Sequence, residues 1–306
     1  MKKTEFEYLR NYLLRSFAKT FPNRDYSLMQ SMIHLMIIAK VKNDYDNLKT
    51  NQDWVDYAYS IENEFLNRFD YKLNTFRYIK NDIPYQLMNP FECIKLKNFD
   101  FDFNFYFSNE KTKYIADDYL GFTYQFFLCE YEKGIMQSNC SYYTSTQTID
   151  RLIKTYLHDA REIYDPFCGT GRVAFTDLYH KTVLCGSDYD KPAVDLANLN
   201  HWLLNPEDDF IRFEHKDFYE ISHKQDFIFT NIPFSKSIKI EADILNKIEV
   251  MTGYKAIVII PLNHLERMEK FLNNKNWTVK ERLNVNEFEP FTKVCCDVIS
   301  LEHLNS

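Results

Sequence analysis

Apolar positions recur at helical spacing over the first seventy residues. Phe6, Leu9, Leu13 and Leu14 form one such set, Leu28, Met32, Leu35, Met36 and Ile38 a second, and Trp54, Tyr57, Ile61 and Phe65 a third. This predicts three or more helices packed together. Residues 71–115 lose the period. NDIPYQLMNPF carries two prolines among Asn and Asp, as a turn-rich connector does. FDFDFNFYFSN alternates Phe with polar residues, in the manner of a strand or of an aromatic arm. Residues 116–134 read as a further helix ending near Gly134.

After residue 147 the rhythm changes. Ile149, Leu152, Ile153 and Leu157 mark a helix. Short apolar runs then alternate with helical segments: EIYDPF, TVLCGSD, FIRFEHKD, DFIFTN and KAIVIIP are the strands, and 171–180, 191–202 and 238–250 the helices. That alternation predicts an α/β fold with a mostly parallel sheet. The last runs, WTVKERLNV and KVCCDVISLEH, have no room between them for a crossover helix, so an antiparallel pair at the sheet edge is expected. The division follows: a mainly helical domain with an irregular connector over 1–135, and an α/β domain over 136–306.

Composition narrows the classes. Of 306 residues, 45% are hydrophobic and 17% aromatic, so a large core is available, and glycine is scarce at 6. The net charge of -7 argues against a stand-alone binder of duplex DNA, whose affinity would come from neutralised phosphates. It leaves room for a local basic face or a DNA-binding partner. The 7 cysteines form no CxxC pair, so neither a zinc site nor a disulfide framework is expected and no metal is assigned. The most apolar run, 28–41, is too short and interrupted to cross a bilayer. A cytoplasmic protein without membrane contact is the expectation.

Two of the scarce glycines lie in Asp165-Pro166-Phe167-Cys168-Gly169-Thr170-Gly171, between a strand and a helix. In open α/β sheets ligands bind beyond the carboxyl ends of strands, and glycine lets backbone turn tightly and approach them. No GK[ST] follows, so a phosphate-binding NTPase loop is poorly supported. Ala174 occupies the third position of a dinucleotide fingerprint, and this loop alone leaves a nicotinamide or flavin enzyme open. The next strand ends at Asp188, where a carboxylate can accept from ribose hydroxyls. Asp190 reads as a helix cap. The third strand is expected to end at Asp217-Phe218, an acceptor for an adenine amino group beside a ring that packs on it. The fourth ends in Thr230-Asn231-Ile232-Pro233-Phe234. An amine conjugated to a base is a poor nucleophile. The Asn231 side-chain carbonyl and the Ile232 backbone carbonyl can both accept from it, orienting its lone pair and drawing density onto nitrogen. Pro233 stiffens the loop, and Phe234 can stack on a base taken out of its helix. This amine clamp tips the choice away from hydride transfer.

DPFCGTG, the SD of the second strand end and NIPF at the fourth resemble, in order, the motifs of amino-nitrogen methyltransferases. The resemblance is strongest to adenine-N6 DNA methyltransferases of the kind found as modification subunits of type I restriction systems. ADDYLGFTYQFFL and Ser141-Tyr142-Tyr143-Thr144-Ser145 resemble two further segments of that family. The resemblance implies a Rossmann-like class I fold dependent on S-adenosylmethionine, behind an N-terminal mainly helical domain. It implies cofactor contacts from Tyr143, Thr144, Asp165, Phe167, Gly169, Gly171, Asp188, Asp217 and Phe218, and catalysis by Asn231, Ile232, Pro233 and Phe234. Ser145 and Ile232 stand where the family has proline. The implied reaction is methylation of adenine N6 in DNA within a restriction-modification system, with a separate specificity subunit or a homo-oligomer as partner. Cytosine N4 suits the same clamp. An RNA base, a protein glutamine amide, or a non-catalytic subunit on the same fold are the alternatives.

Overall fold

The computed structural model describes residues 144, 146–171, 182–204, 212–274, 276–284 and 295–303, with scattered positions between 39 and 64. The remaining helices expected before residue 144, the helix after the glycine loop, and Tyr143 and Ser145 lie outside the described residues. Contacts divide the chain into two compact units, residues 1–127 with 191–211, and residues 128–190 with 212–306.

The second unit holds one sheet. Its elements are α1 (Thr146–Tyr156), β1 (Glu162–Asp165), β2 (Val183–Asp188), β3 (Phe213–His215), β4 (Gln225–Asn231), α3 (Ile238–Met251), β5 (Thr252–Pro261), α4 (His264–Met268), β6 (Thr278–Leu283) and β7 (Cys296–Glu302). Helix α2 (Lys191–Leu204) belongs to the first unit. There Trp202 and His201 are buried, as expected of packing residues, and Lys42 lies over the Trp202 ring.

The strand order is β3-β2-β1-β4-β5-β7-β6. β1 to β5 run parallel, while β7 is antiparallel to both β5 and β6. The expected antiparallel pair is therefore present at the edge, with β7 inserted inside β6. A mixed sheet of this order with flanking helices is the class I methyltransferase arrangement of the Rossmann-like folds. The winding reverses between β1 and β4, which makes the carboxyl ends of these two strands the switch point where such folds bind ligands.

Strand β5 shows why its apolar run is continuous. Successive side chains face opposite sides of a strand. Ala256, Val258 and Ile260 join one core cluster with Ala242, Ile244, Leu245, Ile248 and Met251 of α3. Ile257 and Ile259 join the other, with Ile149, Leu152 and Ile153 of α1. Both faces are covered, so no polar alternation survives. Each Val, Ile, Leu or Met among them contributes about 1.5–3 kcal/mol on burial. Helix α3 begins where the Ser237 hydroxyl accepts from the Ile240 N–H and ends where Thr252 donates to the Ile248 carbonyl.

One expected strand end moves. β3 stops at His215, and Asp217 instead caps a 3-10 turn over Phe218–Glu220, its side chain accepting from the Tyr219 N–H at 2.8 Å.

Candidate functional site

Asp165 and Asn231 close the two strands that flank the switch point, and Thr230 joins those strand ends. The Asp165 carboxylate is buried and its Oδ1 accepts from the Phe167 N–H at 3.0 Å and from the Thr230 hydroxyl at 2.6 Å. Beyond it, Gly169 and Gly171 take φ of 54° and 74°. Side chains rarely adopt that region, which explains both glycines. The turn closes through the Gly171 N–H donating to the Cys168 carbonyl, and it is tied to β2 by Cys168 N–H donating to the Ser187 carbonyl.

Asp188 completes the tie. Its Oδ2 accepts from the Gly169 N–H at 2.9 Å and its Oδ1 from the Asp190 N–H at 2.8 Å. A carboxylate has about four acceptor sites, so both oxygens retain capacity for a ligand. Asp190 here serves Asp188 through its backbone. Phe167 and Phe218 meet ring to ring at 4.6 Å, so two residues assigned separately from sequence form one aromatic wall.

On the β4 side, Asn231 Nδ2 donates to the buried Thr144 Oγ1 at 3.2 Å. The strand ladder runs one residue further, the Ile232 N–H donating to the Ile259 carbonyl, and Pro233 ends it for want of a donor. Ile232 is buried in the α3 cluster. Phe234, expected to stack on a base, is 8% exposed and packs in the cluster beneath α1, where it supports the loop from below. Lys236 and Lys239 are exposed. Among the described residues no cluster capable of holding a metal ion occurs, and no helix is long and apolar enough to cross a membrane.

Thr230, Gly186 and Glu241 are the residues sequence reasoning missed. Thr230 bonds Asp165 across 65 positions of chain, which no local pattern announces. Gly186 precedes the Ser-Asp of β2, and its being one of only 6 glycines was a usable signal. Glu241 is a fully buried carboxylate at an apolar position of α3, three residues before Ile244 and seven before Ile248.

The electrostatics are one-sided. Burial lifts the Asp165 carboxyl to about 7, against the pull of the Thr230 hydroxyl and the Phe167 N–H, and the Asp188 charge adds to the rise. Burial also raises Asp188, against the N–H groups of Asp190 and Gly169. Among the described residues neither carboxylate has a cationic partner. A carboxyl whose folded value is raised binds its proton more tightly when folded. Its contribution is fully present below the ordinary value near 3.8 and is lost as pH climbs through about 7. At ~1.4 kcal/mol per pH unit the loss approaches about 4 kcal/mol. Asp165→Asn keeps the acceptor for Thr230 and Phe167 and cannot ionise. Denaturant unfolding at pH 5 and pH 8 is expected to show the Asn variant gaining on the wild type as pH rises; a constant difference would refute the assignment.

The family model described as N-6 DNA Methylase matches residues 115–264. No curated protein sequence matches the chain. Among solved structures, a modification subunit of a putative type I restriction enzyme from Vibrio vulnificus YJ016 is 14% identical with a TM-score of 0.49, over 98% of this chain and 81% of that one. Magnesium protoporphyrin IX methyltransferase from Synechocystis PCC 6803, with bound S-adenosylmethionine, is 12% identical with a TM-score of 0.44, over 52% and 79%. A dimethyladenosine transferase from Plasmodium falciparum is 18% identical with a TM-score of 0.43, over 53% and 63%. The fold and the family match are those of an S-adenosylmethionine-dependent methyltransferase.

The donor set fits that cofactor. A buried carboxyl at Asp165, a part-buried one at Asp188, a positive-φ glycine turn and an aromatic wall suit a ligand carrying an ammonium, a sulfonium, ribose hydroxyls and a purine. Asp188 would suit the ribose of a dinucleotide equally, but the Asp165 carboxyl beside the glycine turn does not suit its pyrophosphate, so the alternative that the glycine loop alone left open loses support.

Proposed function

We propose that the chain transfers a methyl group from S-adenosylmethionine to the exocyclic N6 of adenine in DNA, with recognition supplied in part by a partner. The observation that carries the reading is the setting of Asn231. Its Nδ2 is committed to Thr144, which fixes the amide plane and presents Oδ1 as an acceptor at the end of β4. Oδ1 and the Ile232 carbonyl are the clamp for the two N–H bonds of an amino group. Accepting from both rotates the nitrogen lone pair out of conjugation and aims it. Bound beside β1 and β2, the cofactor supplies an electrophilic methyl group on a sulfonium. The same two carbonyls would stabilise the positive charge that develops on the amine as it takes the methyl group, and the surplus proton would then leave to water. No general base is required before attack.

Asp188 is assigned the ribose hydroxyls, Asp165 the positive end of the cofactor, and Phe167 with Phe218 the wall beside its adenine. Gly169 and Gly171 bring backbone close, while Tyr143 and Thr144 cap its methionine end. Asp217, already capping the turn at Phe218, is assigned the adenine amino group through its remaining acceptor sites. Adenine in DNA is favoured by the family match over 115–264 together with the order of the motifs.

The net charge of -7 favours a second reading, in which the same clamp takes an amine that is not on duplex DNA, namely an RNA base or a glutamine amide of a protein. Transfer of a tritiated methyl group to unmethylated genomic DNA, total RNA and cell protein in parallel separates the readings. N6-methyladenine in DNA supports the first. Label confined to RNA or protein replaces it with the second. Cofactor binding without transfer to any of them indicates a missing partner, and absence of cofactor binding indicates a non-catalytic subunit.

A further inference from the structure

We infer that Glu241 and His264 are a positioning pair that holds the Asn231–Phe234 segment in place, reaching it through the backbone of Ser235. The kinetic consequence rests on the methyl-transfer reading, while the geometry stands without it. Glu241 lies in the first turn of α3 and is fully buried. Its Oε1 accepts from the Ser235 N–H at 2.8 Å, directly after Phe234, and its Oε2 meets His264 Nδ1 at 2.5 Å. On the far side of the ring, Arg267 lies 3.2 Å from His264 Nε2. A guanidinium only donates, so Nε2 accepts, the ring proton sits on Nδ1, and Nδ1 donates to Glu241.

The chain of bonds therefore runs from the surface to the loop: Arg267 to His264, His264 to Glu241, and Glu241 to the Ser235 N–H. Its outer end is fixed separately. Asn263, at φ 60°, donates its N–H to buried Asp297 at 2.7 Å, and Arg282 bonds both Asp297 and the Asn263 side chain. The inner end is fixed by Ser237, which donates its N–H to Ser235 Oγ at 3.0 Å and accepts the Glu241 N–H on its carbonyl. A charge taken wholly out of water is retained only where it is paired and hydrogen-bonded, and here both oxygens are used. What they hold is the exit of the segment whose two carbonyls are assigned to the amine. Pro233 leaves that segment without a ladder bond of its own beyond Ile232. A displacement of the clamp by about 1 Å can cost on the order of 100-fold in rate.

Glu241→Ala, Glu241→Gln and His264→Ala test this, each read by cofactor affinity, by kcat on whichever acceptor takes the methyl group, and by hydrogen exchange of the segment 232–237. Glu241→Ala is expected to lower kcat by about 10- to 100-fold with cofactor affinity unchanged, and to raise exchange in the segment. Glu241→Gln, whose carbonyl can still accept from the Ser235 N–H while its NH2 donates to His264 Nδ1 once the ring proton moves to Nε2 and the exposed Arg267 turns away, is expected to recover most of both. His264→Ala falls between and decides the matter if the Ala variant at 241 fails to fold. Wild-type kcat and exchange in folded Glu241→Ala or His264→Ala overturns the inference, as does a Gln variant no better than Ala. If the wild type neither methylates any acceptor nor binds the cofactor, the methyl-transfer reading fails on its own while the exchange data still judge the pair.

Discussion

Asn231→Ala is expected to lower kcat by about 10²- to 10³-fold, the range seen when a single preorganised polar group is removed from a developing charge. Cofactor affinity should change little, because the carboxylates at Asp165 and Asp188 and the glycine turn lie on the other side of the switch point. The loss combines two effects. One is the acceptor itself. The other is the bond from Nδ2 to Thr144 Oγ1, which orients the amide. Thr144→Val removes only the second, keeping the shape of the side chain, so it should cost less than Asn231→Ala. Asn231→Asp keeps an acceptor that the Thr144 hydroxyl can orient by donating to it, and should also retain more activity than Ala. The measurement is tritium transfer at saturating cofactor for the wild type and the three variants. A folded, cofactor-binding Ala variant with wild-type kcat would remove Asn231 from the chemistry.

The parts of the fold that read correctly from sequence are those governed by period. β5 carries a continuous apolar run because α1 and α3 cover both sheet faces, and the absence of a crossover between β6 and β7 forces them antiparallel. The glycine turn read correctly because its two positive-φ positions leave a signature in residue type. What could not be read depends on distances across the sheet. Thr230 contributes through a partner on β1, and Glu241 through partners on a loop and at the start of α4. Asp217 looked like a strand end because a carboxylate after an apolar run fits either a ligand contact or a turn cap, and the choice of cap depends on where β3 leaves β2. Phe234 follows the same logic. A loop aromatic can stack on a ligand or support its own loop, and Phe234 lies in the cluster that α1 covers.

Gly186→Ala is expected to be the most damaging single change to the fold's binding end. A Cβ at this position would lie 2.3 Å from the Asp165 carbonyl oxygen and 2.9 Å from the Cys168 Cβ. Gly186 is the parallel partner of Asp165 in the sheet, so the obstacle is the backbone of the neighbouring strand and cannot rotate away. Relief requires β1 and β2 to part at their carboxyl ends. That movement would loosen the Gly169 to Asp188 bond and the Cys168 to Ser187 bond together, since both bridge the same gap. The cost should reach about 3 kcal/mol or more, at the upper end of overpacking. Cofactor affinity should fall at least about tenfold, equivalent to ~1.4 kcal/mol. Gly253→Ala provides the matched control. Its nearest obstacle, at 2.7 Å, is the tip of the exposed Asp226 side chain, which can swing into solvent. Both substitutions gain the same small stabilisation from a stiffer unfolded chain, about 0.4–1 kcal/mol, so the difference between them isolates the clash. Urea unfolding and cofactor titration of the two variants should therefore diverge sharply, with Gly253→Ala close to wild type in both. Equal costs would mean that β1 and β2 part easily, and that the glycine loop is not held to Asp188 by the strand pairing beneath it.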